Sequence, residues 1–511
     1  MSFGLLLGAL SSFAAEKPNI VFIYADDLGY GDVGCYNPES KVPTPNLDRM
    51  AAEGIRFTDA HSPSTVCTPS RYGVMTGRMP FRSGMKGVFT GVDGPCMIEA
   101  ERLTLPEMLQ QCGYNTALFG KWHIGMTFQT ADGTPVYKAK LPPKKKDSSW
   151  NNSIRRVQMV DYSKRITDGP VDQGFNHFYG TVCCPTTGWF YAFVENDRVP
   201  VPPSMTEIRD RSKLPNHPYS KDCRPGLVAP DFDFEEVDMV FLQKSKAFLR
   251  EHVKTQPNKP FFLFHSTQAI HLPSFPGRDF KGKTEAGPHG DFIFQFDHIV
   301  GELEETLKEL GVADNTLIIV SSDNGPEVAA VFNMRKDHNH DGARPLRGVK
   351  RDQWEGGHRV PFIAKWPGKI APNSVSKQTI CQTDLMATFA AITGFELPKN
   401  AAEDSFNILP LLLGNDDQIR PYTLHQTTSL ELAIRRGDWK YLDHKGSGGN
   451  KYPKRGLVDP VTELAPDAPG QLYNLADDLS ETKNLYHQHP EIVKELKALL
   501  DESKKNGRSR P

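Results

Sequence analysis

The chain has 511 residues, with 60 Lys and Arg against 62 Asp and Glu for a net charge of −2, and 38% of its residues are hydrophobic. That length supports one large core and a second, smaller one, while the balanced charge excludes the global basic excess of a nucleic-acid binder. No run approaches the ~18 apolar residues of a membrane span, so a soluble mature protein without a membrane segment is expected.

The apolar stretch Phe3 to Leu10, followed by Ser12-Phe13-Ala14-Ala15, reads as a secretory signal over residues 1–15 and places the protein in the periplasm or outside the cell. A positive n-region is missing, and an N-terminal lead-in to the first strand is the other reading. Eight cysteines (Cys35, Cys67, Cys96, Cys112, Cys183, Cys184, Cys223 and Cys381) show no C-x-x-C spacing, which speaks against zinc on thiolates. An exported chain can pair some of them, although the neighbours Cys183 and Cys184 cannot easily bridge each other.

Pro18 to Tyr24 is a continuous apolar run of strand length, the mark of a strand buried on both faces of a mainly parallel sheet. It ends in Asp26-Asp27. One acid alone serves equally well as a turn cap, but two together at the end of a buried strand favour a metal. Pro45 to Gly54 reads as an amphipathic helix and Ile55 to Ala60 as a strand leading to Cys67-Thr68-Pro69-Ser70-Arg71. Cys67 stands at the mouth of a predicted helix, with Pro69 in its first turn and Arg71 one step inside. Unsatisfied N–H groups and the positive dipole end there suit an anion.

A second helix, Thr104 to Cys112, closes at Gly113, and the strand Asn115 to Phe119 delivers Gly120-Lys121-Trp122-His123. If the backbone stays extended there, Lys121 and His123 project to one side. Residues 126 to 230 are irregular and rich in Pro, Lys, Asn and Asp, as functional loops or lids are. Pro142-Pro143-Lys144-Lys145-Lys146 is a solvated turn, and the aromatics between Thr181 and Asn196 either stack on sugar rings or pack the loop. Asp231 to His252 is a long helix, Pro260 to His265 a buried strand that runs on to His271-Leu272-Pro273, and Phe292 to Leu310 a further helix. Asn315 to Ser322 is a strand ending in Asp323-Asn324-Gly325. Two strands thus finish in oxygen ligands, at the edge where a doubly wound sheet gathers its site. After the helix near Thr383 to Thr388, short alternating strands at Leu432 to Arg436, Trp439 to Leu442 and Gln471 to Leu475 precede a charged helix from Pro490 to Leu500. The division is a large α/β domain over 16–415 and an α+β subdomain, with a small antiparallel sheet and a helix, over 416–511.

Cys67-Thr68-Pro69-Ser70-Arg71 with Thr76-Gly77-Arg78 resembles the signature of the type I, formylglycine-dependent sulfatases of the alkaline phosphatase superfamily. Gly120-Lys121-Trp122-His123, Asp172-Gln173-Gly174-Phe175, His271-Leu272-Pro273, the Lys350 stretch and Trp354 to Pro361 match in family order over nearly the whole mature chain. The resemblance implies a mainly parallel sheet sandwiched by helices. It also implies conversion of Cys67 to formylglycine by a maturation enzyme, and a metal site of Asp26, Asp27, Asp323, Asn324 and the Cys67-derived oxygen. Such all-oxygen ligands call for a hard cation, Ca2+ rather than Mg2+, and without histidine they do not make the two-zinc site of the alkaline phosphatases. Glu355-Gly356-Gly357 shapes backbone.

By the same resemblance Lys121, His271 and Lys350 bind the sulfate group, Arg71 fixes the formylglycine hydrate, and Asp323 takes its proton. His271, with Lys350, protonates the departing alcohol, and His123 removes the second hydroxyl proton as sulfate is expelled. Sulfated carbohydrate is the expected substrate. Arg335, His338, His340, Arg344 and Arg347 either meet a carboxylate or second sulfate or form a solvated loop. A phosphodiesterase or phosphonate hydrolase of the superfamily, and a non-catalytic glycan-binding relative, are the alternatives.

Overall fold

Five strands, four of them buried along their whole length, pair in parallel at the centre of a nine-stranded sheet. A computed structural model describes residues 17–89, 91–143, 150–204, 210–220, 224–455, 457, 459 and 461–510. The signal expected at 1–15, Lys144 to Lys146 and Cys223 lie outside the described residues. Across the sheet the strands run in the order Ser374–Ser376, Ile55–Phe57, Phe362–Lys365, Thr316–Ser322, Asn19–Ala25, Phe261–Ser266, Asn115–Lys121, His177–Thr181 and Val194–Glu195. The five from Thr316–Ser322 to His177–Thr181 are mutually parallel, and Phe362–Lys365 pairs antiparallel beside them. Every residue of the first four is buried, as expected of strands covered on both faces.

Helices Pro45–Ala52, Val237–Thr255 and Gly287–Glu309 form one covering group, and Cys67–Thr76, Leu105–Gln111 and Leu385–Thr393 the other. All ten residues of Cys67–Thr76 are buried, so that helix is enclosed rather than amphipathic. Thr104 caps Leu105–Gln111 through a reciprocal pair with Glu107.

A second, four-stranded antiparallel sheet runs in the order Thr423–Gln426, Leu432–Arg436, Trp439–Leu442, Gln471–Asn474, with helix Pro490–Asn506 packed on its two middle members. A buried polar network joins it to the large sheet. Lys440 lies 2.9 Å from Glu355 and 2.9 Å from Glu481, Arg435 pairs with Asp59 at 2.6 Å, and the His358 and His425 rings stack with centroids 3.9 Å apart. Glu355 therefore does more than shape backbone: its carboxylate anchors the small sheet.

Several limits differ from the sequence reading. The helix expected from Asp231 begins at Val237, because 231–236 form turns that hand the chain onto it. The helix expected from Phe292 begins at Gly287, with Pro288 in its first turn. His177–Thr181, read as a landmark within a loop, is a strand of the central sheet.

Candidate active site

The five parallel strands all end on one side, and each delivers polar residues there. Ser322 leads into Asp323 and Asn324, Ala25 into Asp26 and Asp27, Ser266 into the segment bearing His271, Thr181 into Cys183 and Cys184, and Lys121 is itself a strand end. This is the carboxyl edge at which open α/β sheets collect their sites. The enclosed helix brings Cys67 to it as its first residue. Lys350 arrives on a loop that can close only because two glycines meet: a Cβ on Gly325 would stand 1.8 Å from the carbonyl oxygen of Gly356.

Arg71 binds the edge together. Its Nη1 donates to the Lys121 carbonyl at 3.0 Å and to Ser266 Oγ at 2.6 Å, while Nε and Nη2 donate to one Asp323 oxygen. Three strand ends are thus fixed relative to the helix that carries Cys67. A fully buried guanidinium is tolerable because the adjacent carboxylate compensates it.

Around Cys67 the charges alternate. Lys121 pairs with Asp26, and Lys350 with Asp27 at 2.5 Å. Cys67 Sγ lies 3.5 Å from Asp26 Oδ1 and 3.5 Å from Lys350 Nζ. Ligand atoms of Asp26, Asp27, Cys67 and His271 all fall within 4.8 Å of one another. Asn324 Nδ2 donates to Asp27 Oδ1 at 2.7 Å. Asp27 Oδ2 and Asn324 Oδ1, both buried, have no hydrogen-bond partner. Orphaned oxygens of this kind are costly unless something electropositive meets them, so the residues present fit a hard cation.

The two histidines differ in protonation. Burial holds His123 below its usual value and so neutral, and its Nε2 meets the Phe89 carbonyl. Burial also opposes charge on His271, but Cys184, Asp27 and Asp26 outweigh it and raise the group to about 9. Its Nδ1 lies 2.5 Å from the Leu272 carbonyl, leaving Nε2 for the cavity. The Cys67 thiol is held well above its usual value by the hydrogen bond with Cys184, by burial and by Asp323. An unmodified Cys67 therefore keeps its proton in the resting site.

Cys67, His123, His271 and Lys350 line a cavity of about 430 Å3. All the residues singled out from the motifs sit at this edge: Asp26, Asp27, Cys67, Arg71, Lys121, His123, His271, Asp323, Asn324 and Lys350. The extended backbone, however, stops at Lys121, and His123 sits at φ 60°, so the two do not share a face by strand alternation. The basic stretch before Lys350 goes elsewhere. His340 is buried on Asp32, Arg347 stacks on Trp354 with its guanidinium carbon 3.6 Å from the ring centroid, Arg335 pairs with Asp341, Arg344 with Glu39, and His338 faces the Glu285 carbonyl. None of the five lines the cavity. Phe190, Tyr191 and Phe193 are core residues rather than a sugar platform. Sequence reasoning missed Cys184, Glu327 and Arg351, which also line the cavity; only their positions beside Cys183, Pro326 and Lys350 could have flagged them.

Comparison with known proteins agrees with this arrangement. The Sulfatase family model matches residues 18–395. An N-acetylgalactosamine-6-O-sulfatase of Bacteroides thetaiotaomicron is 33% identical over 505 residues, 96% of this chain and 94% of that protein. Arylsulfatase A of Homo sapiens is 33% identical over 97% of this chain and 89% of its own length. A solved structure from work on the metabolism of multiple glycosaminoglycans by Bacteroides thetaiotaomicron superposes with a TM-score of 0.78 at 30% identity, covering 96% of this chain and 100% of the other. A sulfatase from Pseudoalteromonas sp. gives 0.69 at 26% identity, over 97% and 92%.

Proposed function

We propose, for a chain that belongs to the sulfatase family and hydrolyses sulfate esters, that its substrates are sulfated carbohydrates and that it works through a formylglycine made from Cys67 and a bound Ca2+. The supporting observation is the pair of unpartnered buried oxygens, Asp27 Oδ2 and Asn324 Oδ1, beside a Cys67 that is flanked by Lys121 and Lys350. A carbohydrate substrate is supported by the similarity to N-acetylgalactosamine-6-O-sulfatase.

Asp26, Asp27, Asp323, Asn324 and the oxygen derived from Cys67 would hold the cation, which supplies Lewis-acid neutralisation of sulfate oxygens. Formylglycine supplies a hydrated aldehyde with two hydroxyl groups, one to attack sulfur and one to release sulfate. Arg71 keeps the Cys67 side chain and Asp323 in register, and Asp323 accepts a proton from the attacking hydroxyl. Lys121 and Lys350 offset the charge on the sulfate oxygens so that a nucleophile can approach. His271, protonated near neutral pH, gives its Nε2 proton to the departing sugar oxygen, which otherwise leaves poorly as an alkoxide. Neutral His123 accepts a proton at Nδ1 in the release step. Neighbouring histidines pushed to opposite sides of neutrality are what paired acid and base work requires.

Export of the chain to the periplasm or medium, a formylglycine-generating partner, and a working division into 16–415 and 416–511 belong to the same proposal. The test is turnover of N-acetylgalactosamine 6-sulfate and other sulfated sugars beside matched phosphate esters. Faster hydrolysis of the sulfated sugars supports the reading. Preference for phosphate esters overturns it in favour of the phosphodiesterase branch.

A further inference from the structure

Cys184 is a cavity thiol to which the reaction above assigns no task. It follows the carboxyl end of the His177–Thr181 strand and lines the cavity beside Cys67. Its sulfur lies 3.7 Å from His271 Nε2 and 3.9 Å from His123 Nδ1. The Cys67 sulfur is within 4.8 Å of a ring nitrogen of the same His271, so both thiols face one imidazole across the same cavity. Both are free cysteines. The adjacent Cys183 also borders the cavity, but its sulfur is packed 2.9 Å from where a Cβ on Gly188 would stand.

We propose that in chains whose Cys67 has not been converted, Cys67 and Cys184 are a modification site that closes to an intramolecular disulfide when hydrogen peroxide enters the cavity. Cys184 is the more open of the two, 7% against 1% exposed, and reacts first. Its sulfur attacks one peroxide oxygen: an S–O bond forms, the O–O bond breaks, and the other oxygen leaves as water with the thiol proton. The Cys67 sulfur then attacks the Cys184 sulfenic acid. The S–S bond forms, the S–O bond breaks, and the hydroxyl departs as a second water with the Cys67 proton. The two thiols together lose two electrons and two protons, and one peroxide becomes two waters.

The disulfide ties up the sulfur that conversion to formylglycine requires, and a thiol reductant releases it. Only this consequence rests on the proposed function; the bond itself needs only the two cavity thiols and the peroxide.

The experiment uses the full chain made in a host that does not convert Cys67, treated with hydrogen peroxide, alkylated and mapped without reduction. The expected result is that the Cys67 peptide migrates joined to the Cys183–Cys184 peptide, two hydrogens lighter than their sum, and that dithiothreitol separates them. Cys183→Ser still cross-links, whereas Cys184→Ser and Cys184→Ala leave Cys67 open to alkylation, with melting curves recorded to show that both variants fold. Free alkylation of Cys67 after peroxide in the unaltered chain, or a cross-link that persists without Cys184, overturns the proposal. The mass of the Cys67 peptide from a converting host reports separately on formylglycine, so either idea can fail without the other.

Discussion

Arg71 gives two hydrogen bonds, from Nε at 3.1 Å and Nη2 at 2.9 Å, to a single oxygen of Asp323, and both side chains are sealed from solvent. The pair couples the helix that begins at Cys67 to the strand end that supplies Asn324. Removing one partner leaves the other charge buried alone, which typically costs about 3 to 5 kcal/mol. Asp323→Ala is therefore expected to lose that much stability in chemical denaturation and to retain little calcium by elemental analysis. Wild-type stability and calcium content in that variant would refute the coupling.

Calcium itself should stabilise the fold, because the orphaned Asp27 and Asn324 oxygens are compensated only when a cation meets them. A ligand at a hundred times its Kd adds about 2.7 kcal/mol. Chelation is expected to lower Tm and abolish turnover, with Ca2+ restoring both more fully than Mg2+. A Tm indifferent to chelator removes the metal assignment.

Glu327 offers a pH test. Burial favours its neutral form, but the Arg351 charge and two hydrogen bonds, at 2.8 and 2.7 Å, prevail and hold it well below the usual carboxylate range. A depressed value means stability that is complete above the unfolded-state value of about 4.3 and disappears as pH falls through the folded-state value. Glu327→Gln is expected to cost about 1 to 3 kcal/mol at neutral pH, discounted because Arg351 is partly exposed. Urea titrations should show the gap to wild type narrowing below about pH 4. A gap that is constant with pH contradicts the ion pair.

The two sheets should separate more readily when Lys440 is lost, since it is buried between Glu355 and Glu481. Lys440→Ala removes the ammonium from both Glu481 and Glu355, the latter still held by Arg359 at 3.1 Å, and is expected to destabilise by about 3 to 5 kcal/mol. Limited proteolysis should then release the C-terminal segment first. A variant as protease-resistant as wild type argues that apolar packing alone docks the small sheet.

How much of this was legible in the sequence follows from range of interaction. Strands such as Asn19–Ala25 and Thr316–Ser322 were readable because burial on both faces leaves a continuous apolar run. His177–Thr181 was not, since His, Tyr, Gly and Thr give neither alternation nor such a run, and its pairing with Asn115–Lys121 decides its fate. The residues that gather at the strand ends around Cys67 were legible because short motifs fix them locally. Cys184 and Glu327 enter the cavity only through tertiary placement, and the burial of His340 and Arg347 depends on the distant partners Asp32 and Asp459. The reading of Lys121 and His123 as one face failed for a local reason: the left-handed backbone at His123 ends the strand's alternation.

The claim that organises all of this is that sulfur is attacked by an oxygen grown from Cys67 rather than by its thiol. The mass of the Cys67 peptide, taken from protein whose specific activity is known, tests it most directly. The expected peptide carries formylglycine, in a fraction that rises and falls with activity across preparations, and Cys67→Ala is inert. An unmodified cysteine in fully active protein would contradict the account.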